Sequence, residues 1–73
     1  MRPTFEVYVG AVNGQFIGGP FSVTCIKDVP GQPRRIVSSV TGIQRADLAN
    51  YRAQQMVDHF GATLPLGLIE VKS

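Results

Sequence analysis

Hydrophobic and polar residues alternate along two stretches near the start of the chain. Every second residue from Thr4 to Val12 is apolar, and the same two-residue period runs from Phe21 to Lys27. Because successive side chains of a strand point to opposite faces of a sheet, this period predicts two half-buried β-strands. Asn13-Gly14 lies between them and is a strong turn signal, since both residues tolerate positive φ. These two stretches are therefore expected to be the first two strands of an antiparallel meander.

A second turn precedes a third predicted strand. Prolines cannot donate to a sheet ladder, and the Val29–Pro33 segment suits a turn, so the chain is expected to reverse there. The third strand is predicted from Arg34 to Val40. Its pattern is less regular, but it favours Ile36 and Val40 facing the core and Val37 facing outwards.

The stretch from Thr41 to Gly61 is the longest periodic segment and predicts one helix. Thr41 and Gln44 have the spacing of a capping box, and Gly61 suits the left-handed residue that closes a helix. One helix face is apolar and is predicted to lie on the sheet. That face consists of Ala46, Ala49, Ala53, Met56, Val57 and Phe60.

A short apolar segment, Leu66–Lys72, follows the helix and predicts a fourth strand. A helical crossover would return it parallel to the first strand. The expected fold is one α+β domain over residues 1–73, with the order β-β-β-α-β. Its four-stranded mixed sheet has the order 3-2-1-4, with the helix packed on one face. The fourth strand is then an edge that a partner would cover, and it presents Leu66, Leu68, Ile69 and Val71.

Composition narrows the functional classes without choosing one. The 73 residues include seven Lys and Arg against five Asp and Glu, for a net charge of +2. A chain of this length buries only about 60% of its unfolded surface, so a second copy or a protein partner is expected to extend the core. The single cysteine, Cys25, has no intrachain disulfide partner, which favours a reducing, cytoplasmic setting. No signal peptide or membrane span is predicted.

The basic residues are candidates for nucleic-acid binding. Arg34 and Arg35 stand at the start of the third strand, while Arg45, Arg52 and His59 recur every seven residues along one helix flank. Such a set is able to follow a phosphate backbone. The alternative is an ordinary solvated flank, which is favoured because few aromatic residues are interleaved with the cations.

No cofactor, metal site or catalytic residue is predicted. Asp47 and Asp58 fall on the helix face opposite the apolar one, and His59 has no second histidine, so solvated surface residues are favoured over a metal cluster. Cys25 lies in an apolar row with Phe21. This position favours a buried, inert thiol over a nucleophile.

Several segments resemble the first half of the ribonuclease H fold. Val7–Val9 is similar to that family's first strand, Ile43–Leu48 to the start of its first helix, and Ile69–Ser73 to its fourth strand. The resemblance implies a two-metal nuclease whose carboxylates come from these elements and from a later helix. Here the first-strand position falls on Gly10 and the helix position on Asp47. The fourth-strand acid would come one position past the last segment.

These observations lead to three expectations of function. The favoured one is a non-enzymatic protein-interaction module, homodimeric, such as a small inhibitor or accessory protein. The second is a nucleic-acid-binding module that uses Arg34, Arg35, Arg45 and Arg52. The third is a degenerate ribonuclease H-like nuclease. It is the least favoured, because one carboxylate cannot assemble a two-metal site.

Overall fold

The computed structural model describes residues 2–11 and 21–69. Four elements follow one another along the chain: β1 (Thr4–Ala11), β2 (Phe21–Asp28), β3 (Arg35–Ile43) and α1 (Ala46–Phe60). The strands form one antiparallel sheet in the order β1-β2-β3, so the α+β class and the predicted meander are confirmed. Within the described ranges, no helix is long and apolar enough to cross a membrane.

The hydrophobic core lies between α1 and one face of the sheet. Val7, Val23 and Cys25 are fully buried there, as the alternation in β1 and β2 predicts. The predicted helix face is also confirmed. Its central residues are buried and the others pack against the core: Ala49, Ala53 and Met56, then Ala46, Val57 and Phe60. Small alanine side chains allow the helix backbone to approach the sheet closely.

The helix lies over β1 and β2 more than over β3. Phe60 stacks on Phe5 with ring centroids 5.5 Å apart, so the C-terminal end of the helix is held over β1. Gly61 then ends the helix with a φ of 66°, the left-handed conformation that the sequence predicts. The inner face of β3 is left only partly covered, with Val40 and Ile43 half-buried.

β3 departs from regular alternation at Val37. Its neighbours Ile36 and Ser38 pair with the consecutive residues Ile26 and Cys25, so Val37 is the extra residue of a β-bulge. The extra residue reverses the side-chain direction along the strand. Ile36 is consequently 67% exposed on the face away from the helix, and the prediction that it faces the core is wrong.

β3 also extends three residues beyond its predicted end. The register shifts again between Val40 and Ile43, and Gly42 has a φ of 74° in this second bulge. Glycine adopts that conformation at little steric cost. As a result, Ile43 pairs with Phe21 and packs against the core.

The helix begins five residues later than predicted, because Thr41 belongs to β3. The capping box between Thr41 and Gln44 is therefore wrong. Arg45 occupies the N-cap position without a side-chain hydrogen bond. Asp47 accepts a hydrogen bond from the Leu48 N–H at 2.9 Å, and its carboxylate lies in the first turn, where the helix dipole favours negative charge.

The chain returns to β1 after the helix without forming the predicted fourth strand there. Thr63 makes a single parallel bridge to β1 through two backbone hydrogen bonds of 2.8 and 3.0 Å. A turn follows, closed by the Gly67 N–H donating to the Leu64 carbonyl at 3.1 Å. The described part of Leu66–Lys72 is not a strand, and Glu70 onwards lies outside the described residues.

Candidate functional site

A groove runs between α1 and β3, where the helix leaves the inner face of the strand partly open. Two adjoining cavities of about 400 and 560 Å³ form it, and both are lined by Val40, Arg52 and Gln55. The larger cavity extends towards Leu48 and Tyr51, and the smaller one extends towards Met56 and Phe60. These volumes are within the range of ordinary ligand pockets, about 300 to 1,000 Å³.

The walls of the groove include large apolar side chains that face solvent. On the helix, Leu48 is 47% exposed and Tyr51 is 61% exposed. Ile36 and Val37 of β3 are 67% and 41% exposed, but neither lines the cavities. Single exposed apolar residues are common, but two large ones in the wall of a groove favour a contact surface.

β3 is the terminal strand of the described sheet and offers backbone groups for pairing. β3 pairs with β2 on one side only, so alternate residues along it have backbone N–H and C=O groups that point away from the sheet. None of the residues 36–43 is charged. Natural edge strands usually carry charges or prolines that prevent pairing with another chain. This uncharged edge lies directly beside the groove.

Two of the predicted nucleic-acid-binding arginines are bound to carboxylates. Arg34 forms ion pairs with Glu6 and with Asp28, the latter at 3.6 Å between Nε and Oδ2. The negative charge of Glu6 raises the pKa of the Arg34 guanidinium. Arg45 pairs with Asp47 at 2.6 Å. Both positive charges are therefore partly neutralised within the protein.

The other two arginines lie in different places. Arg35 is directly opposite Lys27 in the β2–β3 pair, and both line a small cavity of about 120 Å³ at the start of β3. Arg52 lines the groove, and His59 lies in its smaller cavity. In the described part of the chain, neither Arg35 nor Arg52 has a carboxylate within ion-pair distance. The predicted basic set is thus divided, and Arg52 alone of the four belongs to the groove.

No family model, curated protein or solved structure matches this chain. The geometry of the chain itself is therefore the basis for inferring its function. The groove and the open edge of β3 lie side by side, so together they form one candidate binding surface.

The positions that the ribonuclease H resemblance assigns to metal binding are not brought together. Gly10 lies in β1 and has no side chain to coordinate an ion. Asp47 lies at the start of α1, with its carboxylate half-exposed and bound to Arg45. In residues 2–11 and 21–69, no group of three His, Cys, Asp or Glu residues is arranged to hold a metal ion.

Cys25 is fully buried, as its place in an apolar row predicts. It lies in the core between the sheet and the helix, together with Val23 and Ala53. Burial raises the pKa of its thiol, because the thiolate would lose hydration there. The thiol therefore stays protonated at neutral pH and contributes to packing.

The predicted partner-binding segment after the helix is partly exposed. Leu66 and Leu68 are 80% and 44% exposed, whereas Ile69 is half-buried and Val71 lies outside the described residues.

Ile69 is held by Asn50, a residue that the sequence pattern does not single out. The Asn50 Nδ2 group donates to the Ile69 carbonyl at 2.7 Å, and the Ile69 N–H donates to Asn50 Oδ1 at 2.8 Å. A side-chain amide thus pairs with the backbone of Ile69 much as a neighbouring strand would. In the sequence, the feature that could have indicated this role of Asn50 is its position as a polar amide beside the apolar helix face that includes Ala49 and Ala53.

Proposed function

We propose that this protein is a non-enzymatic protein-interaction module that binds an extended segment of another protein along the open edge of β3. The observation that supports this most is the uncharged run from Ile36 to Ile43, which forms an edge strand beside an apolar groove. In strand addition, backbone hydrogen bonds supply affinity and pockets for alternate side chains supply specificity. The free backbone groups of β3 would supply the hydrogen bonds, and the groove would supply the pockets.

We further infer that the fold is related to the first half of the ribonuclease H fold. The antiparallel order β1-β2-β3, the helix after β3 and the parallel bridge from Thr63 to β1 support this inference. A fourth strand beside β1 would complete the order 3-2-1-4. In this proposal the relationship concerns the fold and not the nuclease activity, because Gly10 offers no metal ligand.

The strand-addition proposal predicts that Ser39→Pro abolishes partner binding while the fold is retained. In this proposal the Ser39 N–H is one of the free groups of the β3 edge. Proline is tolerated at such edge positions, but its ring blocks an incoming strand and its nitrogen cannot donate. Short random peptides displayed on phage can be selected against the protein. We expect Ser39→Pro to bind the selected peptides at least about tenfold more weakly, as measured by fluorescence anisotropy.

Ser39→Ala is the matched control, because it keeps the backbone N–H. It should bind the peptides as the original protein does, and circular dichroism should show all three proteins folded. Peptides that bind Ser39→Pro equally well would contradict strand addition at β3. Failure to select any peptide would also count against the proposal.

We also propose that two copies associate through the segment after the helix. Leu66 and Leu68 present exposed apolar surface in the segment that follows the bridge from Thr63 to β1. Light scattering over a range of concentrations should show a dimer, and Leu66→Asp should shift it to a monomer, because a carboxylate would be desolvated in the contact. Leu48→Asp is a control with an exposed leucine in the groove. A monomer at every concentration would refute this association.

A further inference from the structure

The charge of the groove indicates what kind of segment it accepts. Arg52 lies where the two cavities meet, beside Val40. No Asp or Glu is among the described residues that line either cavity, and no described carboxylate is within ion-pair distance of Arg52. A guanidinium group matches a carboxylate geometrically, because it can donate two parallel hydrogen bonds to it.

We propose that the segment bound along β3 is an extended peptide with an acidic residue flanked, two positions away on each side, by apolar residues. This inference rests on the proposed function of strand addition. An added strand would lie about 4.8 Å from β3, with alternate side chains pointing to the helix side. The side chain next to Val40 would reach Arg52, and its carboxylate would neutralise that charge.

The two flanking side chains on the same face meet the ends of the groove. Towards Ile43, the larger cavity is bordered by Leu48 and Tyr51. Towards Ser38, the smaller cavity is bordered by Met56 and Phe60. Leu48 and Tyr51 give one end an apolar surface, and Phe60 gives one to the other end, where His59 adds a polar group. Residues two apart in a strand share a face. The pattern apolar, any residue, acidic, any residue, apolar therefore follows from the order of the lining residues.

A second copy of this chain fits the same edge less well. The midpoint of β3 is Ser39, and a twofold axis there would bring each Arg52 towards the Arg52 of the other copy. Residues 36–43 contain no carboxylate to separate these charges. Like charges brought together oppose association.

A nucleic-acid backbone is also less suited to the groove. Binding to phosphates usually depends on several cations that act together. Among the described residues that line the groove there is one arginine, while Arg34 and Arg45 are paired with carboxylates elsewhere.

The test uses the peptide selection with variants of Arg52. Wild-type selection should enrich Asp and Glu in the predicted pattern. A consensus peptide should bind at least about tenfold more tightly than its amide counterpart, in which glutamine replaces the glutamate. Selection against Arg52→Glu should instead enrich Lys and Arg at that position. Arg52→Lys should keep the acidic preference at lower affinity, because lysine retains the charge but not the planar pair of donors. Arg52 is exposed, so these variants should fold, and circular dichroism checks this.

The outcomes separate this inference from the proposed function. Peptides that lack acidic enrichment but still fail to bind Ser39→Pro would overturn the inference and leave strand addition standing. Absence of any peptide sensitive to Ser39→Pro would overturn both. Two other results would assign the site to another partner and overturn the inference. One is a dimer that Ser39→Pro disrupts. The other is salt-dependent binding of a short DNA or RNA duplex that Arg52→Glu abolishes.

Discussion

Replacing Phe21 with alanine is expected to lower the free energy of unfolding by about 3–5 kcal/mol, the usual cost of truncating a buried phenylalanine. Phe21 is 4% exposed and begins β2, where it pairs with Ile43. A chain of this length has a total stability of roughly 4–11 kcal/mol, so the substitution should remove a large share of it. Urea denaturation followed by circular dichroism measures the change.

Tyr51→Ala is the control for the Phe21 prediction, because it removes an aromatic side chain that is 61% exposed. Its effect on the free energy of unfolding should stay within about 0.5 kcal/mol. If Phe21→Ala costs no more than Tyr51→Ala, the core does not lie where the structure places it.

Replacing Asn50 with alanine should cost about 1–3 kcal/mol and release the segment after the helix. The substitution removes both hydrogen bonds to Ile69, 2.7 and 2.8 Å long, and leaves partly buried backbone groups unpaired. The Ile69 amide should then exchange its hydrogen with solvent much faster than in the original protein. Native-state hydrogen exchange measured by NMR, together with urea denaturation, tests both parts of the prediction.

Gln54→Ala is the matched control, since it removes an exposed amide of the same helix that contacts only Asp58 among the described hydrogen bonds, at 3.3 Å. It should leave both the stability and the Ile69 exchange nearly unchanged. Unchanged exchange at Ile69 in Asn50→Ala would show that Asn50 does not hold the segment.

The elements that the sequence predicts well are those whose periodicity is uninterrupted. In β1 and β2 each residue contributes to one two-residue pattern, and Val7, Val23 and Cys25 are buried accordingly. The helix face that includes Ala49 and Ala53 follows a period near 3.6 and is confirmed in the same way. Both signals sum over many residues, so no single residue decides them.

The features that the sequence does not reveal depend on single residues. The extra residue at Val37 reverses the direction of the Ile36 side chain. The positive φ of Gly42 allows β3 to extend through Thr41, which the sequence pattern assigns to the helix. Neither bulge changes the local composition enough to be recognised. The groove escapes prediction for a related reason, since it depends on the lateral position of α1 over β1 and β2.

The candidate site illustrates the same limit. Arg52 lies in α1 as the sequence predicts, whereas Arg45 precedes the helix as its N-cap. The ion pairs of Arg34 join distant segments, so the local sequence does not reveal them. Arg34 and Glu6 are 28 residues apart in the chain. The partner-binding edge was expected after the helix, whereas the longer open edge belongs to β3, because the predicted fourth strand is not formed over its described residues.

The two bulges of β3 limit how far another strand can extend along it. Between the two bulges only residues 38–40 pair with β2 in regular register, so a guest strand finds a regular edge only over this short length. Growth of amyloid fibrils needs long, flat edges that stack repeatedly, and bulges twist an edge out of that geometry. The bulges are therefore expected to oppose fibril growth from this uncharged strand.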